Sequence, residues 1–196
     1  ADLALAKFTV QQAVRPGGHN VVNLDDELSH SFIDDLPRSK AFFSQHLAES
    51  ELLSHLKDPE DYACFVQDGA FYVYRHGEKQ HIAAIDDVDL TYKGLAKHNI
   101  ENVLAAICLS LELGRSYAEI TAGLLAFKND ENNQGRFNLF DVKGSKILVD
   151  YGHNLASVDN MLKFARSIAK PSSKITVLRD FFGDRTLMTA MVSSCE

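Results

Sequence analysis

Apolar residues in the first third of the chain come in short runs separated by stretches with helical spacing. Residues 20–24 and 40–44 are brief apolar runs next to turn-forming residues and predict strands. Residues 27–33 and 47–56 predict helices after each of them. Upstream, Leu3, Ala6, Phe8, Val10 and Val14 give a looser helical spacing over 1–14, which Arg15-Pro16-Gly17-Gly18 stops. Helix, strand, helix, strand, helix suggests parallel strands joined by crossovers. The pattern then changes. Runs at 63–66, 71–74 and 81–85 are rich in aromatic and β-branched residues, and Asp68-Gly69 and His76-Gly77-Glu78-Lys79 separate them with hairpin signals, so a small antiparallel meander is expected.

Ile100, Val103, Leu104, Ile107, Leu111 and Leu113 predict a strong helix over 99–113, ended by Gly114. A second helix over 117–127 should start from Ser116, with Glu119 completing a capping box. The wholly polar segment 129–135 is the best linker candidate. Beyond it the pattern predicts a hairpin (136–142 and 147–150 around Lys143-Gly144), a helix over 157–169 and a strand over 175–178. The expected organisation is an α/β protein with two domains, 1–134 and 135–196. The second is expected to be truncated, because one β-α-β start cannot cover both faces of a sheet.

Composition narrows the class. Apolar residues at 45% and charged residues at 24% allow a real hydrophobic core. A formal charge of −7 argues against bulk electrostatic attraction to nucleic acid or to an anionic membrane. No apolar run is long enough to span a bilayer, and the N-terminus lacks the basic start and apolar core of a signal peptide. Cys64, Cys108 and Cys195 are far apart and form no CxxC pair, which suggests reduced thiols and a cytoplasmic location.

Four places carry candidate chemistry. Asn99 and Asn102, three apart at a helix start, share one face; carboxamides can recognise a purine edge, or His98 and Asn99 can simply cap the helix. Gly135-Arg136-Phe137-Asn138 precedes the hairpin. Asp150-Tyr151-Gly152-His153-Asn154 closes the apolar run 146–149 and opens a helix, and the carboxyl ends of strands are where open α/β sheets bind ligands. Arg136 suits a phosphate, or is a solvated linker charge; Asp150 suits a polar ligand, or is the N-cap of the following helix. Asn23, Asp25 and Asp26 sit at a strand end; paired carboxylates can hold a metal, but a structural role is expected. His19, His30, His46, His55, His76 and His81 show no ligand spacing and are expected at the surface, so no metal site and no catalytic residue is assigned.

In order along the chain, Ala6-Lys7, Ala13-Val14-Arg15-Pro16-Gly17-Gly18, Val22-Asn23-Leu24-Asp25-Asp26, His98-Asn99-Ile100-Glu101-Asn102-Val103-Leu104-Ala105-Ala106, Gly135-Arg136-Phe137 and Val149-Asp150-Tyr151-Gly152-His153-Asn154 resemble the Mur ligase superfamily. Within it the likeness is greatest to the Mur-ligase-like region of the cyanophycin synthetases. The resemblance implies part of a central ATPase domain followed by a Rossmann-like C-terminal domain. It also implies ATP with Mg2+ as cofactor and an acyl phosphate formed before an amine is joined to a carboxylate. In cyanophycin synthetases that amine is arginine and the acceptor is polyaspartate. By position, Asn99 and Asn102 match adenine contacts, Arg136 a phosphate contact and Asp150 a ribose contact, while His153 and Asn154 complete the nucleotide loop. Gly183-Asp184-Arg185 matches a motif near the substrate amine, and Leu24 replaces an alanine of the family pattern.

Several family elements are missing: the chain contains no GxxxxGK[ST] loop, Gly17-Gly18-His19 lacks its lysine, and the metal ligands and carbamylated lysine that the resemblance implies cannot be located. Nothing in the sequence therefore neutralises a γ-phosphoryl group. The expectation is a fragment or remnant of the ligase, inactive alone. Alternatives are one half of a split ligase with a P-loop-bearing partner chain, a peptidoglycan-precursor or folylpolyglutamate-type ligase, and a non-catalytic nucleotide- or partner-binding protein. Faces left open by missing strands predict a homo-oligomer.

Overall fold

The computed structural model describes residues 2–152 and 154–178. The chain divides into two compact units, Ala1–Phe127 and Lys128–Glu196. The first is built on five strands, β1 (Asn20–Asn23), β2 (Lys40–Ser44), β3 (Tyr62–Gln67), β4 (Ala70–Arg75) and β5 (Glu78–Ala84), in that spatial order. β1, β2 and β3 are parallel; β3, β4 and β5 form the antiparallel meander. Both meander turns have two residues, Asp68-Gly69 and His76-Gly77, all four at positive φ. That backbone twists with the flanking strands, so these pairs fix the register.

The helices of this unit are α1 (Asp2–Phe8), α2 (Glu27–His30), α3 (Glu49–Leu53), α4 (Lys97–Glu112) and α5 (Tyr117–Ala126). Side chains alternate across the sheet. Ala41, Phe43, Tyr62 and Cys64 face a core shared with Ile100, Val103, Leu104 and Ile107 of α4. Val22, Phe42, Ala63 and Phe65 face a second core with Leu36 and Leu52. Both faces of the central strands are covered, which is why they read as continuous apolar runs rather than alternating ones. Tyr62, Phe42 and Phe65 are fully buried. Cys64 and Cys108 are buried free thiols; Cys195 lies outside the described residues.

Three expected helices are shorter than their apolar spacing implied. α1 stops at Phe8 and continues as a 3-10 turn, Thr9–Ala13. α2 is one turn, followed by a 3-10 turn at Ile33–Asp35, and α3 spans only Glu49–Leu53. Short helices gain little from propensity, so packing against the sheet sets their length. α5 starts from the expected capping box of Ser116 and Glu119.

The second unit contains α6 (Asn129–Asn132), a hairpin of β6 (Asn138–Val142) and β7 (Ser145–Val149), and α7 (Leu155–Ile168). The segment read as a linker is folded into this unit. Asn129 is 1% exposed; its Nδ2 donates to the Phe137 carbonyl at 2.8 Å, and its Oδ1 accepts from Asn133 Nδ2 at 3.0 Å. Asn138 Nδ2 donates back to the Asn129 carbonyl at 2.8 Å. Polarity here reflects a carboxamide network rather than solvation. Residues 175–178 form no strand: no neighbour among the described residues pairs with them, and Leu178 is fully exposed. No helix among the described residues is long and apolar enough to cross a membrane.

Candidate functional site

In the first unit the candidate residues gather around the carboxyl ends of β1 and β2 and the first turns of α4. Ala96 occupies the N-cap of α4 and supplies no side-chain cap. The capping alternative for His98 and Asn99 is therefore not what the fold uses. Buried Asn99 instead donates from Nδ2 to the Leu90 carbonyl at 2.8 Å, and its Oδ1 accepts from Asn102 Nδ2 at 3.1 Å. Asn102 is exposed. Tethering Asn99 to the Leu90 turn fixes the pair, and Asn102 keeps a carbonyl oxygen and an N–H to offer a ligand edge.

The end of β1 is equally organised. Asn23 Oδ1 accepts the Asp25 N–H at 2.9 Å. Asp26 is the N-cap of α2, accepting from the Ser29 N–H at 2.9 Å, which bears out a structural role for that carboxylate. Asp25 reaches across to β2: it accepts from Ser44 Oγ at 2.5 Å and from the Gln45 N–H at 2.7 Å. Gln45 in turn donates from Nε2 to Glu101 Oε1 at 2.9 Å. One ligand-type atom from each of Asp25, His46 and Glu101 lies within 4.8 Å of the others. Sequence spacing missed this group because its members come from three separate segments; the parallel pairing of β1 with β2 and the packing of α4 against both strands bring them together.

In the second unit Asp150 receives two backbone donors. Its Oδ1 accepts the Phe137 N–H at 2.9 Å and its Oδ2 the Gly152 N–H at 2.8 Å. Asp150 is thus the link between the Gly135-Arg136-Phe137 segment and the loop after β7, and not the N-cap of α7. That position belongs to Asn154, whose Oδ1 accepts the Ser157 N–H at 2.9 Å in a reciprocal capping box. Arg136 is exposed, with its guanidinium carbon 4.7 Å from the centre of the Tyr151 ring. An exposed cation–π contact holds such a group by about 0.5–1 kcal/mol, so it remains available to an anion. His153 and Arg185 lie outside the described residues. Asn99 with Asn102 therefore belong to the first unit, and Arg136, Asp150 and Asn154 to the second.

Comparison with known proteins sets these residues in a family. Over 167 residues the chain is 30% identical to a cyanophycin synthetase of Nostoc sp., covering 85% of this chain and 18% of that protein. A UDP-N-acetylmuramate–L-alanine ligase of Phenylobacterium zucineum is 35% identical over 109 residues, 52% of this chain and 22% of that one. Its counterpart in Wolbachia pipientis is 42% identical over 74 residues, 37% and 14% of the two chains. This chain is related to the Mur ligases. No family model matches it. The 167-residue alignment is longer than Ala1–Phe127, so the Mur ligase relationship reaches into the second unit. The chain spans about a fifth of each of the first two relatives (18% and 22%).

Proposed function

We propose that this chain is the adenosine-recognising portion of an ATP-dependent acid–amino-acid ligase of the cyanophycin synthetase kind, inactive by itself. In this reading Asn102 of the first unit, supported by Asn99, offers a carboxamide to a purine edge, and within the second unit Asp150 offers an acceptor to a sugar hydroxyl and Arg136 a cation to a phosphate. The phosphate cradle, with its magnesium, comes from a P-loop-bearing segment or partner. The observation that carries it is the likeness to cyanophycin synthetase across 85% of the chain. The residues fit a nucleoside: carboxamides suit a purine edge, and a carboxylate suits a sugar hydroxyl. They do not fit a triphosphate, because no GxxxxGK[ST] loop is present in the 196 residues. The shorter likeness to UDP-N-acetylmuramate–L-alanine ligases supports the same chemistry with a different acceptor.

The test is calorimetric titration of the chain with adenosine and with Mg-ATP. Mg-ATP is expected to gain less than about tenfold over adenosine, the gain of the one exposed Arg136 contact, with no arginine incorporation into polyaspartate. Mg-ATP binding more than about tenfold tighter than adenosine, equivalent to about 1.4 kcal/mol, would reveal a phosphate cradle and overturn the reading.

A further inference from the structure

The cluster at the ends of β1 and β2 is not accounted for by nucleoside recognition. We propose that Asp25, His46 and Glu101 bind a divalent transition metal of the Mn2+ to Zn2+ series, through one imidazole nitrogen and two carboxylate oxygens. Their donor atoms lie within 4.8 Å of one another. Bonds of about 2.0–2.2 Å to one tetrahedral ion place its donors about 3.3–3.6 Å apart, so donors at the 4.8 Å limit have to close by roughly 1 Å, a movement that side-chain rotation can supply.

Three features favour a built site over a chance meeting of polar groups. First, the residues come from the ends of two adjacent parallel strands and the early part of α4, the edge at which such sheets collect ligands. Second, the ligands are already oriented. Ser44 Oγ donates to Asp25 at 2.5 Å and accepts the His46 N–H at 3.1 Å, while Gln45 bridges Asp25 and Glu101. Asp25 spends one lone pair on each oxygen in these bonds and keeps the others, and outer groups of this kind set the aim of metal ligands. Third, among the described residues neither Asp25 nor Glu101 forms an ion pair with a lysine or arginine. A divalent ion supplies the positive charge that no lysine or arginine brings to these two carboxylates.

The donor set decides the metal. Magnesium and calcium take oxygen ligands, whereas imidazole with carboxylates suits manganese, cobalt and zinc. With three protein donors and an exposed His46, positions remain open to water or an anionic oxygen.

The experiment is titration of the full chain with Zn2+ and with Mn2+, without nucleotide, so that its result is independent of the ligase reading. One Zn2+ per chain is expected, bound more tightly than Mn2+. His46→Ala and Glu101→Gln should each weaken Zn2+ binding by at least about tenfold. A histidine pair away from this cluster, His30 and His55, has ring centres 5.2 Å apart and provides the control: His55→Ala should bind like wild type. Thermal melts in chelator confirm that each variant folds. Absence of saturable Zn2+ binding, binding that survives His46→Ala, or loss in His55→Ala alone would each overturn the proposal.

Discussion

Asp150 holds the Phe137 N–H at 2.9 Å, joining the turn before β6 to the end of β7 through a side chain. Phe137 needs that hold. It sits at φ 55°, in the left-handed region that a bulky residue avoids, with its ring 4.8 Å from that of Phe164 in an edge-on contact. Asp150→Ala removes a charged acceptor from two backbone N–H groups at once. It should destabilise the second unit by about 2–4 kcal/mol, read by hydrogen exchange of the Phe137 and Gly152 amides. Asp150→Asn keeps one acceptor and should lose less. Any loss of nucleotide binding in Asp150→Ala must accordingly be measured beside its stability before it is assigned to a ribose contact.

The carboxamide network offers a second test. Asn129→Ala removes the side-chain donor to the buried Phe137 carbonyl and the acceptor of the Asn133 amide, which keeps its bond to the Arg136 carbonyl. An orphaned buried polar group costs about 1–3 kcal/mol. Chemical denaturation should show that loss, whereas the exposed Asn132→Ala, which removes only a bond to the Lys128 N–H, should lose less.

How far the sequence was legible depends on the range of the interaction. The two-residue turns at Asp68-Gly69, His76-Gly77 and Lys143-Gly144 were visible because positive φ leaves a local signature. The strands around them followed. α4 was visible because Ile100, Val103, Leu104 and Ile107 repeat on one face. The polar segment 129–135 misled because carboxamides that saturate one another look like carboxamides that face water. The first residues of β5 were missed for a related reason: Glu78, Lys79 and Gln80 are exposed and carry no alternation. Asn99 and Asn102 could be picked out by spacing, but the Leu90 carbonyl that anchors them could not. The grouping of Asp25, His46 and Glu101 depends on strand order, which no local pattern encodes.

Two titrating groups should shape stability in separate pH windows. Burial of Glu112 works to raise its pKa, but hydrogen bonds from His19 and Tyr62 outweigh it and leave the carboxyl below its ordinary value. The folded state thus favours the carboxylate. That stabilisation is complete above the unfolded value of about 4.3 and is lost as pH falls through the lower folded one. His55 behaves differently. Burial first, then the nearby charges of His30 and Lys57, hold its pKa below the usual histidine value. Below about pH 6.5 the unfolded chain takes up a proton more readily, so stability declines there. Denaturation midpoints against pH should therefore fall in two stages. Glu112→Gln should flatten the lower stage and His55→Gln the upper.

The two asparagines of α4 should separate stability from recognition. Asn99 is 5% exposed and its amide is tied to the Leu90 carbonyl at 2.8 Å, so Asn99→Ala removes the side-chain donor to that part-buried oxygen. The cost should be about 1–3 kcal/mol. Asn102 is exposed, and its bond to Asn99 is near the surface, so Asn102→Ala should change stability by no more than about 0.5 kcal/mol. Adenosine affinity should nevertheless fall in both variants, directly in Asn102→Ala and through lost support in Asn99→Ala. Thermal melting beside adenosine titration separates the cases. If Asn102→Ala melts like wild type and binds adenosine as well as wild type does, the pair serves only to anchor α4, and base recognition must be sought elsewhere on the chain.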